Sequence, residues 1–507
     1  MVALAYLASI FAILSFFFFL FPSILKPKNG LPRNFPLIGM SGMLLVNFNH
    51  LYEVGVDLLS KSKGTFLIKG VWFTNTDMLW TSDPKNIHYI TTTNFINYPK
   101  GPDSHEIFDT LGISLFNIDF DEWTFYRKAL HAYFKRPQFH RFLNKVVVDN
   151  VNNGLMPVLE HLSTQGMVVD FVDVLKRHLL DAAWLFCTGY KIDTLTVDLP
   201  ENPFGKAIDT ACQAMFYRNI FPPIVWKPQS WLGIGIEQKL HASKKTVRGM
   251  IQDCLSKKKE ELKNEEEMRK EAGDDEGYDT LKRLLLDPLE AGEKPHPELA
   301  IRDNVLGLIF AAYDTSSTTL SWLFYLLSKH PDVETKIRKE METCFPVKKW
   351  RLGNKEELGK LVYLHSAIYE ALRLYPPVPF QSRSPVKEDV LPSGHRVYPN
   401  TRVVTSGYAS GRMKNIWGED CMEFKPERWI DGNGNLKYET SAKFYIFNAG
   451  PRICPGKDIA FALMKAAAAT IIYNFNIQVV ETQPIIAKAS IILEMKHGMR
   501  VKVNTLV

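Results

Sequence analysis

Phe447-Asn-Ala-Gly450-Pro-Arg452-Ile-Cys454-Pro-Gly456-Lys-Asp458 is the stretch on which the reading of this chain turns. It runs directly into an alanine-rich segment, Asp458 to Asn474, with the pattern of a buried helix. Cys454 therefore lies near helix N–H groups that lack an intrahelical partner, and such donors favour thiolate over thiol. A cysteine taken alone is usually a small buried hydrophobe. Here Gly450 and Gly456 allow a tight turn and the close approach of a flat ligand, Arg452 can meet a carboxylate, and Phe447 can pack on the ligand's face. A phosphate loop is the competing reading. It fails because five residues separate the glycines, Asp458 replaces Ser/Thr, and no strand feeds a glycine-rich turn.

The rest of the chain supplies a large, mainly helical body around that loop. Its 507 residues are 46% hydrophobic and 23% charged, which excludes a disordered or fibrous chain. With 61 basic against 55 acidic residues, spread thinly, nucleic acid is not an expected partner. Six cysteines without a CxxC pair exclude a disulfide framework and a zinc ribbon, and place the body in a reducing compartment. Strand-like Thr65 to Trp72 and Met78 to Trp80 follow a helical Leu51 to Ser60, helical periodicity dominates from about 120 to 380, and Arg302 to Lys329 reads as a long buried helix. The fold class is mainly α with small β-sheets. Lys257 to Glu276 alternates in charge as a solvated helix and loop does.

Residues 1–25 carry no charge, and a helix of that length, roughly 37 Å, spans a hydrocarbon core of about 30 Å. Lys26, Lys28 and Arg33 follow, so the body is expected on the cytosolic side of an endoplasmic reticulum membrane. Pro27, Pro32 and Pro36 make residues 26–39 a stiff hinge, and residues 40–507 form the catalytic unit.

The cysteine loop resembles the signature Phe-x-x-Gly-x-Arg-x-Cys-x-Gly of the cytochrome P450 haem-thiolate monooxygenases, and the resemblance extends over essentially the whole chain. It implies haem b with Cys454 as the iron ligand, O2, and NADPH electrons delivered by a separate reductase; thiolate ligation favours cleavage of the O–O bond. It further implies that Arg452, Trp123 and Arg127 meet haem propionates, with Phe447 and Gly456 beside the ring. Glu370 and Arg373, which alone read as easily as a surface pair, resemble with Arg428 the family's buried triad. Asp314 and Thr315 resemble its proton-delivery pair, although a mid-helix threonine commonly just bonds the i−4 carbonyl. Ala312 and Ser316 depart from the family's usual Gly and Thr.

Tyr408 to Asp420 and Phe447 to Asp458 look like the plant branch that includes fatty-acid ω-hydroxylases and mid-chain alkane hydroxylases, relatives of which oxidise alkaloids. By family position, Ile107, Phe108, Leu111 and Phe310 are expected to line the substrate cavity. Tyr313, Val378, Phe380 and Ile491 are expected to complete it. The implied substrate is apolar, a long-chain alkane or fatty acyl chain, arriving from the membrane past Met215-Phe216 and Phe221 to Trp226, a segment that also reads as helix-end packing. Oxidation, phenol coupling or ring closure of an alkaloid or terpenoid is the alternative, with Tyr313 as its main support. A hydroperoxide isomerase or a haem carrier would not need Asp314 and Thr315.

Overall fold

The computed structural model describes residues 30–506 apart from 73, 75, 269–278, 291–296 and 481–482. The expected anchor, residues 1–25, and the start of the hinge lie outside the described residues. Among the described residues no helix is long and apolar enough to cross a membrane. From Leu31 the chain is non-helical, with Phe35 bridged to Gly39, and it is pinned to the body by Met40 N–H donating to Lys69 O at 2.7 Å and Trp72 N–H to Leu37 O at 2.8 Å.

Eight helices frame the interior: α1 Leu51–Lys61, α2 Phe120–Phe134, α3 Phe171–Thr188, α4 Pro203–Ile220, α5 Gly235–Met268, α6 Glu298–Lys329, α7 Val362–Leu374 and α8 Lys457–Asn474. The strands are β1 Thr65–Ile68, β2 Met78–Thr81, β3 Val168–Asp170, β4 Phe380–Arg383, β5 Asp389–Val390, β6 Arg396–Val397, β7 Arg402–Ser406, β8 Phe475–Val479 and β9 Arg500–Thr505. They form sheets in the orders β1-β2-β7-β4, β3-β9-β8 and β5-β6, with β2 and β7 parallel. The expected helices and strands appear within a few residues, except that the strand after Thr65 stops at Ile68.

α6 is the axis of the body. It starts after Pro297 and stops at Lys329, because Pro331 disfavours helical geometry at His330. It packs along α3, α5, α7 and α8, so nearly every side of it is buried. α8 fits against it because Ala466–Ala469 are fully buried and let the backbones approach. The loop before α2 is bound to α6 through Asn304, which accepts from Leu115 N–H at 3.1 Å and donates to Ile113 O at 3.1 Å. Gly307 leaves room for it, since a Cβ there would meet Phe116 at 3.0 Å.

In the first sheet Trp80, Val404 and Ser382 are in register and share the face that looks into the cavity described below. The alternate residues Leu79 and Val403 enter a separate small core with Leu391 and Val397. The charged run is partly inside the body: Lys258 of α5 is buried and pairs with Asp279 at 3.1 Å. Met215, Phe216 and Trp226, expected to contribute to an apolar surface, are buried; Trp226 lies under the Arg218 guanidinium at 4.5 Å. Ile224 and Trp231 remain exposed, at 75% and 86%.

Candidate active site

The cysteine loop is shaped by packing as well as by its sulfur. Gly450 has φ +63°, and a Cβ there would come 1.8 Å from Thr91 O, so only glycine fits against that turn. Cys454 N–H donates to Phe447 O at 2.7 Å, and Gly456 caps α8. Burial pushes the Cys454 thiol up, while the Gly456 N–H, Arg127 and Lys457 act in the other direction. The Gly456 N–H thus acts in the direction the sequence implied, favouring thiolate, and burial opposes it. A Cβ at Gly456 would have only the Cys454 sulfur within 4.0 Å, so the space over this residue is open.

Cys454 opens into a cavity of about 370 Å³. Its wall on α6 carries Phe310, Ala311, Ala312, Thr315 and Ser316. The Thr315 hydroxyl donates to Ala311 O at 2.5 Å. Asp314, expected beside it, is fully buried on another face of α6, where Cys212 Sγ lies 3.6 Å from Oδ2 and Lys176 Nζ 3.7 Å from Oδ1. Lys176 also pairs with Asp209 at 2.6 Å and with Glu494, which holds Lys488 at 2.9 Å. Burial, with Glu494 and Asp209 close by, pushes the Asp314 carboxyl well above the usual range, against the pull of Lys176. Burial works against ionised Glu494 too, but Lys176 and Lys488 outweigh it and hold it at about 2. Asp209, Asp314 and Glu494 oxygens lie within 4.8 Å of one another, and the Lys176 ammonium supplies the cation such a cluster needs.

A second charged group surrounds the cavity floor. Arg452 donates to Asp119 at 2.5 Å and Ile118 O at 3.0 Å, and its guanidinium lies 4.6 Å from the Trp123 ring. Arg127, one turn along α2 from Trp123, donates to Ile453 O. Two cations that the motifs did not disclose join them. Burial and the neighbouring Arg383 and Arg452 pull the Lys100 ammonium well below its usual range, and burial with Arg452 brings Arg383 down to about 9. The Nε atoms of Arg383 and Arg452 are buried without a partner. Asp119 is the acid acting on Lys100, Arg383 and Arg452, so the floor has a surplus of positive charge. An accessible sulfur, an uncrowded glycine, apolar side chains opposite and orphaned guanidinium donors fit a flat macrocycle with acidic side arms.

Behind the loop, Glu370 and Arg373 of α7 are both fully buried and joined by bonds of 2.8 and 2.7 Å. Glu370 also accepts from Trp429 Nε1 at 2.8 Å, Lys425 N–H at 3.1 Å and Arg428 Nε at 3.3 Å. The three expected members meet, and Trp429 is a fourth that the sequence reading did not name.

The profile of the family described as Cytochrome P450 matches residues 30–502. The chain belongs to the cytochrome P450 family. Among curated proteins, alkane hydroxylase MAH1 of Arabidopsis thaliana is 40% identical over 505 residues, 98% of each chain. Noroxomaritidine synthase 1 of Narcissus pseudonarcissus is 37% identical, over 94% of this chain and 92% of its own, and cytochrome P450 86B1 of Arabidopsis thaliana is 35% identical over 94% and 86%. This P450 is a monooxygenase of a family that uses haem and O2 with electrons from a reductase.

The P450 cavity contains six of the eight residues expected to line it: Phe108, Leu111, Phe310, Val378, Phe380 and Ile491. Ile107 is buried in packing beside it. Tyr313 faces the Lys176 cluster, 6.0 Å from the ammonium, with its hydroxyl buried and unpartnered, so it is not a wall residue. Phe116 is a wall residue that the sequence reading missed, and Phe216, expected on the approach from the membrane, lines the wall as well. Among the described residues no aspartate or glutamate lines the cavity, while Lys100, Arg127, Arg402 and Arg452 do.

Proposed function

We propose that this P450 hydroxylates a long, mainly apolar chain, and the observation that carries the reading is the cavity wall: apolar side chains, four cations and no carboxylate. A protonated alkaloid amine would lose its hydration there with no carboxylate to receive it, and Arg402, the wall cation not needed for the propionates, is of like charge. The removal of Tyr313 from the wall takes away the main support for that alternative. MAH1, named for alkane hydroxylation, is consistent with the chain reading; the similarity to noroxomaritidine synthase makes an alkaloid the outcome to test against.

In this reading Cys454 is the thiolate ligand of haem b, with Phe447 and Gly456 beside the ring, and Arg452, Arg127, Trp123, Lys100 and Arg383 hold its propionates. Bound haem supplies oxygen activation. The chain's own residues bring the substrate chain over the Cys454 side of the cavity, exclude bulk water by their apolar walls, and pass protons at the Thr315 hydroxyl. Asp314, one residue from Thr315 in the chain, is turned away from the cavity into the Lys176 cluster and does not touch substrate. The triad of Glu370, Arg373 and Arg428 keeps the loop in shape from behind.

We place the body, residues 40–507, on the cytosolic face of the endoplasmic reticulum, held by an anchor at 1–25 and a hinge at 26–39. Leu37, Val46, Ile224 and Trp231 are exposed apolar side chains of the kind a bilayer would cover. A reductase carrying NADPH electrons is the partner. The test is spin-state titration of the haem-loaded protein with C25 to C31 alkanes, long-chain fatty acids and phenolic alkaloids, followed by turnover with reductase and NADPH. Shifts with the chains support the proposal; shifts with alkaloids alone reject it. Tyr313→Phe leaves the ligand preference unchanged, because its ring lies outside the wall.

A further inference from the structure

The floor of the cavity explains three of its four cations. Arg452 acts on Lys100, and Arg127 acts on Arg452 from beside the cysteine loop. Arg402 stands apart. It opens β7, in register with Met78 of β2, on the face that carries Val404 into the cavity. The charge that acts on it is Asp103, and burial outweighs that to bring the guanidinium below its ordinary value. No carboxylate pairs with it among the described residues.

Its contacts leave most of its donors free. One terminal nitrogen, Nη1, donates to Asn219 O at 2.7 Å, in the last turn of α4, and lies 3.9 Å from Met78 Sδ. Nε and Nη2 make no hydrogen bond among the described residues. Arg402 is half-buried, and its free donors form a planar fork that suits a carboxylate. The surrounding wall has Met78, Ile220 and Val404 beside it and Phe380 further along the sheet, with Asn219, Gln381 and Ser382 as its polar members.

We propose that Arg402 anchors the carboxylate of a long-chain acid, whose tail runs from the start of β7 along this wall. The proposal rests on the apolar-chain reading and deepens it: the substrate is an amphipathic acid rather than a bare alkane, oxidised at carbons distant from its head. Arg402 is a binding residue in this account, and its Nη1 bond to α4 keeps it in place.

Palmitate, methyl palmitate and hexadecane share a chain length and differ in the head, so spin-state titration of the holoenzyme with these three isolates the anchor. Palmitate is expected to bind roughly ten- to a hundredfold tighter than its ester, the range of a charge-assisted hydrogen bond. In Arg402→Gln that ratio falls towards one, and in Arg402→Lys it takes an intermediate value. Melting temperature and the carbon monoxide spectrum of each variant establish that it is folded and loaded. Equal binding of acid and ester by the unmodified protein overturns the anchor whether or not a variant folds, and leaves the chain reading standing. A ratio unchanged in Arg402→Gln also overturns it. If none of the three chains shifts the spin state while an alkaloid does, both readings fall.

Discussion

Replacing Glu370 by glutamine removes one negative charge from a site with no access to water. The carboxylate accepts five hydrogen bonds, two from Arg373 and one each from Lys425, Arg428 and Trp429. A glutamine keeps the shape but offers a single acceptor oxygen, and its amide group turns donors towards donors. Arg373, fully buried, keeps backbone partners at Gly411, Cys421 at 2.5 Å and Glu423 at 2.8 Å, but loses the only carboxylate it pairs with among the described residues. Leaving such a charge uncompensated costs about 3–5 kcal/mol. With an unfolding entropy of roughly 2.1 cal/mol/K per residue, about 1 kcal/mol/K for a chain of this length, the expected fall in Tm is about 3–5 °C. Calorimetry of the haem-loaded protein reads it directly, and the same samples are reduced and exposed to carbon monoxide to read the thiolate band. Glu201→Gln, at an exposed pair with Lys206, serves as the control and should not shift measurably. A Glu370→Gln protein that melts within 1 °C of the unmodified one would refute the reasoning.

Cys454→His should abolish the red-shifted carbon monoxide band of a thiolate complex; a band retained in a folded variant means that another residue ligates iron. Thr315→Ala should raise the hydrogen peroxide released per NADPH consumed while ligand-binding spectra stay intact, and unchanged coupling assigns proton transfer elsewhere. His178 and His365 are each brought to about 3, His178 by burial and His365 by burial with Lys465 and Lys457 near it, from an ordinary 6.5. Their folded values lie below the unfolded ones, so the unfolded chain takes up protons first as pH falls. Their contribution is complete above pH 6.5 and declines towards pH 3, by about 1.4 kcal/mol per pH unit for each. Urea titrations at pH 5 and 6 should show His365→Phe flattening that slope by about half the two-histidine value, and an unaltered slope counts against a neutral buried ring.

The cysteine loop and the triad were legible because each is a fixed spacing in a short stretch, and the spacing itself is the geometry. The α6 wall was legible only in part. At about 100° per residue, Tyr313 lies some 200° round the helix from Ala311, whereas Thr315 returns to within about 40° of it. A strict helical phase therefore places Tyr313 behind the wall, where the structure has it, and family position did not convey this. Lys100 and Arg383 were illegible for a different reason. Each is a single cation outside any motif, and its meaning comes from burial beside Arg452, which tertiary structure alone provides. Trp226 was misread as surface because nothing in the run Phe221 to Trp226 announces a guanidinium from α4 stacked on it.

The Lys176 cluster has a consequence for how the substrate range of this enzyme can change. Asp209 belongs to α4, which carries Phe216; Asp314 belongs to α6, which carries Phe310; Glu494 follows Ile491 and Ile492 by two or three residues. Two walls of the cavity are thus bonded to one ammonium group of α3 through Asp209 and Glu494, and Asp314 brings the third within 3.7 Å of it. Side chains at 216, 310 and 491 are free to be exchanged for larger or smaller ones while the frame that spaces them stays at its fixed gauge. A library confined to those three positions would reshape the chamber one facet at a time, whereas a single change at Lys176 would let all three panels drift together.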